Sequence, residues 1–309
     1  MSAAFRFLIQ AREKLYNSGI LPAFRLNHPV ISVGNLTVGG TGKTPLVIAL
    51  AEAFRERGFR PVILSRGYGR TGRGTVIDGS DWKEVGDEPF LIKRRLGDLH
   101  VVVDGDRYAA GLAAEKNQLG DLFILDDGFQ HRRLHRDVDI LAIDPVEWAS
   151  GEVLLPIGPW REPKSAAARA HFACVQDIDG AVVPKLPIPV FAFRYEVEGI
   201  YSGNVRVDPE MLRRPAVVAF AGIAKPERFF ATLEAIGIHP AKCVPFRDHH
   251  DFSKREIENL GGDILITTEK DAVRLRTTMN RTCCYVRMSA KVGDFERLFS
   301  LMMRHLPNL

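Results

Sequence analysis

From Val30 to Asp144 the chain alternates short, nearly unbroken runs of Val, Ile and Leu with segments of helical period: VISVG, PLVIALAEAFRERG, RPVILS, HVVVDG, RYAAGLAAEKNQLG, LFILDDG and VDILAID. A strand with one wet face alternates apolar and polar residues, so continuous apolar runs indicate strands covered on both faces. The intervening helical patterns supply the crossovers that parallel strands need. The sequence therefore predicts an α/β fold on a parallel sheet, with ligands at the carboxyl ends of the strands. LLPIGPWREPKSAAARA reads as a Pro- and Gly-rich loop entering a helix, and VVPKLPIPVFAFRYEVEGIYSG as extended connecting strands, where we place a domain boundary. A second series (AVVAFAGI, PERFFATLEAIG, CVPFRD, REIENLG, DILITTEKD, CCYVRM) predicts a smaller C-terminal α/β domain.

The strand VISVG runs into Asn35-Leu-Thr-Val-Gly-Gly-Thr-Gly-Lys-Thr44 and then a helix near Pro45. A glycine-rich turn between strand and helix turns successive backbone N–H groups toward phosphate oxygens, and the helix N-terminus adds its positive end. Thr37, Val38, Gly39, Gly40, Thr41, Gly42, Lys43 and Thr44 form this candidate nucleotide loop, with Lys43 reaching the phosphates and the Thr44 hydroxyl a magnesium ion. The strict pattern has Gly where this chain has Thr37, so the match is an altered Walker A motif; a chance glycine turn is the alternative. A third glycine is missing for a dinucleotide fingerprint, which favours a nucleoside triphosphate.

Asp126 and Asp127 follow the strand LFILD, where a carboxylate would orient Mg²⁺; an Asp-Gly turn closing a strand is the plainer reading. No H-R-D loop accompanies Asp127-Gly128-Phe129, which excludes an ordinary protein kinase. Thr268-Glu269-Lys270-Asp271 misplaces the lysine of a guanine-recognition motif, so ATP is expected, and that stretch also reads as a helix start. Asp87 in Val85-Gly-Asp-Glu-Pro89 could accept a proton from an alcohol, with a histidine from Phe246-Arg-Asp-His-His-Asp251 tuning it; singly, the two read as a helix cap and a solvated loop.

Composition limits the partners. The 309 residues, 46% hydrophobic and 26% charged, suffice for two domains at ~150 residues each. The 42 Lys and Arg against 38 Asp and Glu suit an anionic partner but fall short of a dedicated nucleic-acid binder. Cys174, Cys243, Cys283 and Cys284 form no C-x-x-C pair, which argues against structural zinc and a disulfide scaffold. No apolar run approaches the ~20 residues that span a bilayer. In MSAAFRFLIQAREKLYNSGIL, Phe5, Leu8, Ile9, Leu15 and Tyr16 share helical spacing while Arg6, Arg12 and Lys14 outweigh Glu13. This basic amphipathic helix either packs on its own domain or lies on a membrane surface.

GNLTVGGTGKTP, SRGYGR, VGDEP, DGDR, LDDGFQHRRLHRD, LLPIGPWREP, AFAGIAKPERFF, FRDHHDF and TTEKDAVR occur in the order found in the tetraacyldisaccharide 4′-kinases of lipid A biosynthesis, and the chain resembles that family over nearly its whole length. The resemblance implies transfer of the ATP γ-phosphate to the 4′-hydroxyl of tetraacyldisaccharide 1-phosphate, giving lipid IVA at the cytoplasmic face of the bacterial inner membrane. It implies ATP and Mg²⁺ as cofactors, a glycolipid substrate, peripheral membrane contact, no nucleic acid and no obligate protein partner. It also implies a P-loop NTPase-like domain with the amphipathic helix at 1–191, linker strands at 192–212 as an extended two-stranded connection, and the smaller α/β domain at 213–309.

By the same resemblance, Asp87 and His249 are the catalytic pair, His249 being chosen over His250 because it follows Asp248. Thr44, Asp126, Asp127 and Glu162 are the metal residues. Arg107, Gln130, His131 and Arg161 are further active-site candidates, with Arg66 and Tyr68 as headgroup contacts. The Arg55, Arg57, Arg60, Arg66, Arg70 and Arg73 excess suits a phosphorylated acceptor, or, for the first three, a solvated face. If the acyl chains stay in a bilayer, Phe5, Leu8 and Ile9 would insert beside them. A nucleotide-hydrolysing switch or metallochaperone remains as another reading of the loop, and RNA binding through the basic stretches ranks last for want of an RNA-binding motif.

Overall fold

Each unbroken apolar run becomes a buried strand in the computed structural model, which describes residues 2–67, 71–72, 74–76, 80–213, 215–275 and 282–307. The chain divides into two compact units, one of Met1–Arg194 with Ala290–Leu309, the other of Tyr195–Ser289.

In the first unit the strands are β1 (Val30–Gly34), β2 (Pro61–Ser65), β3 (Gly74–Val76), β4 (His100–Val103), β5 (Leu122–Asp126), β6 (Val138–Ile143), β7 (Phe172–Gln176) and the start of β8 (Val190–Ser202). They lie in the order β8-β7-β6-β1-β5-β2-β4-β3 and pair in parallel, except that β3 runs antiparallel to β4. β1, β2, β5 and β6 are buried at every position, and this burial on both faces is why their side chains are apolar apart from Ser32, Ser65, Asp126 and Asp139. This is a mixed α/β fold with a large, mostly parallel sheet, as the periodicity predicts.

The registers place the chemistry. Val33 in β1 pairs with Asp126 in β5, so the loops leaving these two strands start side by side at the same edge. β1 lies between β5 and β6, and β2 ends at Ser65 on the other flank of β5. Gly34 is required here: a Cβ on it would lie 2.5 Å from the Cβ of Phe129, whose ring is fully buried beneath the loop.

The helices are α1 (Ser2–Asn17), α2 (Lys43–Glu56), α3 (Trp82–Val85), α4 (Asp87–Leu96), α5 (Arg107–Lys116) and α6 (Pro145–Ala149). α1 is tied down by Arg6 to Glu152 at 2.7 Å, by Arg12 donating to the Gln130 carbonyl at 2.9 Å, and by Arg132 donating to Asn17. Phe5 packs against the cluster containing Leu36, Phe129 and Trp160. Phe7 and Leu8, by contrast, are 70% and 63% exposed. No helix among the described residues is long and apolar enough to cross a membrane.

The second unit holds β9 (Val205–Val207), α7 (Pro226–Ala235), α8 (Lys254–Glu258) and α9 (Glu269–Arg274) with β10 (Val217–Ala221), β11 (Lys242–Pro245), β12 (Ile264–Thr268) and most of β13 (Cys283–Val292). β10 is flanked in parallel by β11 and β12, and β13 pairs with β12. Val217, Ala219, Leu233 and Ile266 form its centre. The chain leaves the first unit within β8 and returns to it within β13.

The tail departs from the expected 213–309 domain. α10 (Phe295–Met303) counts with the first unit, where Phe299 sits 4.9 Å from Phe54 of α2 and Arg57 lies 4.4 Å over the Phe299 ring. A buried aromatic partner and a cation over its face are what draw it there.

Candidate active site

The loop between β1 and α2 enters its helix without a side-chain cap. Gly42 takes the left-handed conformation at φ 71° and caps α2 with no side-chain bond, so the first-turn N–H groups keep no cap acceptor. Asn35 donates to the Thr41 hydroxyl at 2.7 Å and pins the two limbs together. The outer limb is held by Val38 donating to the Pro159 carbonyl and Thr37 to Glu147, at 2.7 and 2.8 Å. Thr37 thus replaces the usual glycine without strain: its φ is not in the left-handed region, and its hydroxyl has an acceptor. Lys43 and Thr44 open α2, anchored behind by the buried Leu46, Val47, Leu50 and Phe54.

Asp126 and Asp127 divide their labour. Asp126 is buried, accepts from the Ser65 hydroxyl at 3.2 Å, and leaves its other oxygen buried with no hydrogen-bond partner. Burial, then Glu88 and Asp127, push it up to about 7 against the pull of Lys43. Asp127 turns the chain at φ 54°, a conformation Asp tolerates, and its carboxylate meets Lys43 at 3.3 Å and Arg161 at 2.8 Å. Burial alone would raise it; Lys43 and Arg161 outweigh burial and hold it below the ordinary range.

Arg161 also reaches the Gln130 side-chain oxygen at 3.4 Å, while Gln130 donates to the Asn35 carbonyl at 2.9 Å. Loop start, Gln130, Arg161, Asp127 and Lys43 therefore form one continuous network.

Arg107 opens α5, 6% exposed, with its Nε buried and unpartnered; burial and Arg66 disfavour its charge, while Asp127 and Asp126 favour it. His131 is pushed down to about 4 by burial and then by Arg107, so its ring is neutral near pH 7, with Nε2 buried and unpartnered. Asp87 is the first residue of α4, 4% exposed, with its carboxylate accepting the Glu88 N–H at 2.8 Å. Arg66 is exposed beyond β2; Tyr68, Arg70 and Arg73 lie outside the described residues. Arg55 and Arg60 pair with Asp98 and Asp121, as a solvated face would, whereas Arg57 is engaged by α10 through Glu296 and the Phe299 ring.

Glu162 is placed differently from the other expected metal residues. Both its oxygens are taken by Arg169, at 2.8 and 3.3 Å. Among the described residues no group of three or more His, Cys, Asp or Glu could by itself hold a metal ion. Nothing in the featureless run AAARA marks Arg169, which also donates to the Phe129 carbonyl and lies 4.2 Å over the Phe129 ring. Local sequence pattern does not mark Ser65 and Glu88 as neighbours of Asp126 either. Glu88 directly follows Asp87, and that adjacency is its signal as a site residue.

His249 belongs to the second unit and Asp87 to the first. His249 has φ 57° and a ring about one-third exposed. His250 is committed elsewhere: its ring stacks on Phe246, meets Phe252 edge-on and bonds Glu256 at 3.1 Å.

A strand, a glycine loop and a helix that opens on lysine, facing an aspartate from the neighbouring parallel strand, define a P-loop nucleotide-binding protein. A family model described as LpxK, tetraacyldisaccharide-1-P 4′-kinase, matches residues 1–306, and the chain belongs to this family. It is 40% identical to the tetraacyldisaccharide 4′-kinase of Geobacter metallireducens, covering 91% of this chain and 88% of that one. With the enzyme of Shewanella loihica it shares 38% identity over 100% of this chain and 91% of the other. Among solved structures, LpxK from Aquifex aeolicus in complex with ATP matches with a TM-score of 0.84 and 34% identity, covering 98% of this chain and 96% of that one.

Proposed function

We propose that the first unit binds ATP on the Lys43 loop and transfers its γ-phosphate to the 4′-hydroxyl of tetraacyldisaccharide 1-phosphate, giving lipid IVA, in keeping with the family's 4′-kinase activity in lipid A biosynthesis. The observation that carries the reading is the convergence of Lys43 and Arg161 on the Asp127 carboxylate at the start of α2. Two cations at a helix N-terminus form a place for phosphate oxygens, and Asp127 holds them oriented until phosphate takes their charge. Phosphoryl transfer asks for positioning and charge neutralisation more than covalent chemistry, which this rigid network supplies.

Asp87 takes the proton of the attacking hydroxyl, assisted by His249. Arg107 faces the transferred group, and neutral His131 keeps further charge out of its surroundings. The Thr44 hydroxyl and the unpartnered oxygen of Asp126 are hard donors that fit magnesium, with Asp127 and Glu162 in supporting positions. Magnesium, when bound, neutralises charge on the phosphates. Arg66 and Tyr68 are taken as headgroup contacts. The segments of β8 and β13 that pass between the units are taken as the two-stranded linker. α1, with Phe7 and Leu8 outward beside Lys14, docks on the cytoplasmic face of the inner membrane; no nucleic acid or obligate protein partner is needed.

Labelled γ-phosphate transfer to the lipid acceptor tests the reading, with Lys43→Ala as the blank. Asp87→Ala is expected to lower turnover at least 10²-fold, in the range of a lost general base, while nucleotide still binds. Full turnover by that variant excludes Asp87 as the base.

A further inference from the structure

β12 ends at Thr268, and α9 brings Asp271 and Arg274 back to the loop that carries His249. The two side chains have no exposure at all and pair at 2.7 Å. Arg274 also donates to the Gly222 carbonyl at 2.9 Å and to the His250 carbonyl at 3.2 Å. Asp271 accepts the Gly222 N–H at 3.1 Å and the Thr268 hydroxyl at 2.7 Å. The Gly222 carbonyl in turn receives the N–H of His249 at 3.1 Å. The two peptide groups that flank the Gly222 Cα are thus held from opposite sides, the Gly222 N–H by Asp271 and the Gly222 carbonyl by Arg274 and His249.

The surroundings leave this arrangement little room to shift. A Cβ on Gly222 would stand 3.1 Å from Phe252 and 3.2 Å from Asp271. His250 anchors the far end of the loop through Phe246, Phe252 and Glu256. Between these anchors His249 adopts a left-handed backbone that a non-glycine residue keeps only where its surroundings over-determine it. Stability is a poor reason for the buried pair, since apolar replacements of such pairs are commonly as stable; a guanidinium fork that ties two loops to one carboxylate fixes geometry instead.

We infer that Asp271 and Arg274 are positioning residues that hold His249 in its working orientation, so that the TEKDAVR segment acts in phosphoryl transfer through the histidine. The inference rests on the reading in which His249 assists the reaction, and the test separates the two.

In the full-length protein, Arg274→Lys and the nearly isosteric Asp271→Asn are assayed for kcat and for KM toward ATP, with thermal midpoints measured alongside. Each is expected to lower kcat about tenfold with KM for ATP within about twofold, ~1.4 kcal/mol of lost transition-state stabilisation. Combined with His249→Ala, Arg274→Lys adds no further loss, because its effect passes through a ring no longer there. In ¹⁵N-histidine spectra the His249 ring signal, identified by its loss in His249→Ala, moves in Arg274→Lys. An unmoved ring signal, or losses that multiply in the double variant, overturns the positioning role. A fully active His249→Ala overturns the role of His249 itself. If Arg274→Lys does not fold, Asp271→Asn carries the same measurements.

Discussion

Asp127 owes its role to one backbone angle. At φ 54° its carboxylate reaches Lys43 and Arg161, while Asp126, one residue earlier in the strand, stays buried against Ser65. Asn tolerates the same conformation, so Asp127→Asn is expected to keep its melting midpoint within a few degrees yet lose at least 10²-fold in turnover, because the charge that orients Lys43 is gone. Unchanged turnover in steady-state assays would exclude that role. His131 supplies a stability test. Its folded-state pKa of about 4 lies below the ordinary 6.5, so between these values the unfolded chain binds the extra proton and stability falls as pH falls. His131→Gln should remove on the order of 2 kcal/mol of that acid-side loss, discounted for the ring's partial exposure, as read by urea unfolding at pH 4.5 and 7. Lys43 and the acidic pair were legible in the sequence because strand, glycine loop and Lys-Thr occur in order. The division of work between Asp126 and Asp127 was not, since it follows from a turn and from Glu88, Ser65 and Arg161 arriving from other elements.

At the scale of elements, α1 shows what periodicity does and does not settle. The sequence establishes an amphipathic helix but not which neighbour its faces meet. Phe5, named with Leu8 and Ile9 as an inserting residue, packs on the cluster of Leu36, Phe129 and Trp160, and Ile9, one turn on, is half-buried. Positions four apart share a face, so the outward apolar pair is Phe7 and Leu8. Replacing both by Glu is expected to leave the thermal midpoint unchanged and to lower partitioning onto anionic vesicles at least tenfold in flotation assays. Phe5→Ala should instead cost about 2 kcal/mol of stability, less than a fully buried Phe because its site is half-exposed. Equal vesicle binding by the Phe7 and Leu8 double variant would remove α1 as the docking element.

At the scale of the whole molecule, residues 195–289 interrupt a unit that resumes at Ala290. A linear reading assigns FERLFSLMM to the domain just before it, because nothing in a local pattern tells which distant core an amphipathic helix covers. The destination follows from contacts far apart in sequence: Phe299 on Phe54, Arg57 over Phe299, and Leu298 and Met302 buried. Since α2 carries both Phe54 and Lys43, the tail supports the helix that opens the nucleotide loop. Leu298→Ala is therefore expected to weaken the unit that binds ATP, by about 3 kcal/mol for a fully buried leucine. ATP at 100 times its Kd should return about 2.7 kcal/mol to that same unfolding transition. Leu233→Ala, equally buried but in the second unit, should weaken a transition that ATP leaves in place. Urea unfolding of the two variants with and without ATP decides the matter, for a single transition shifted alike in both would show that the nucleotide stabilises the chain as one cooperative body.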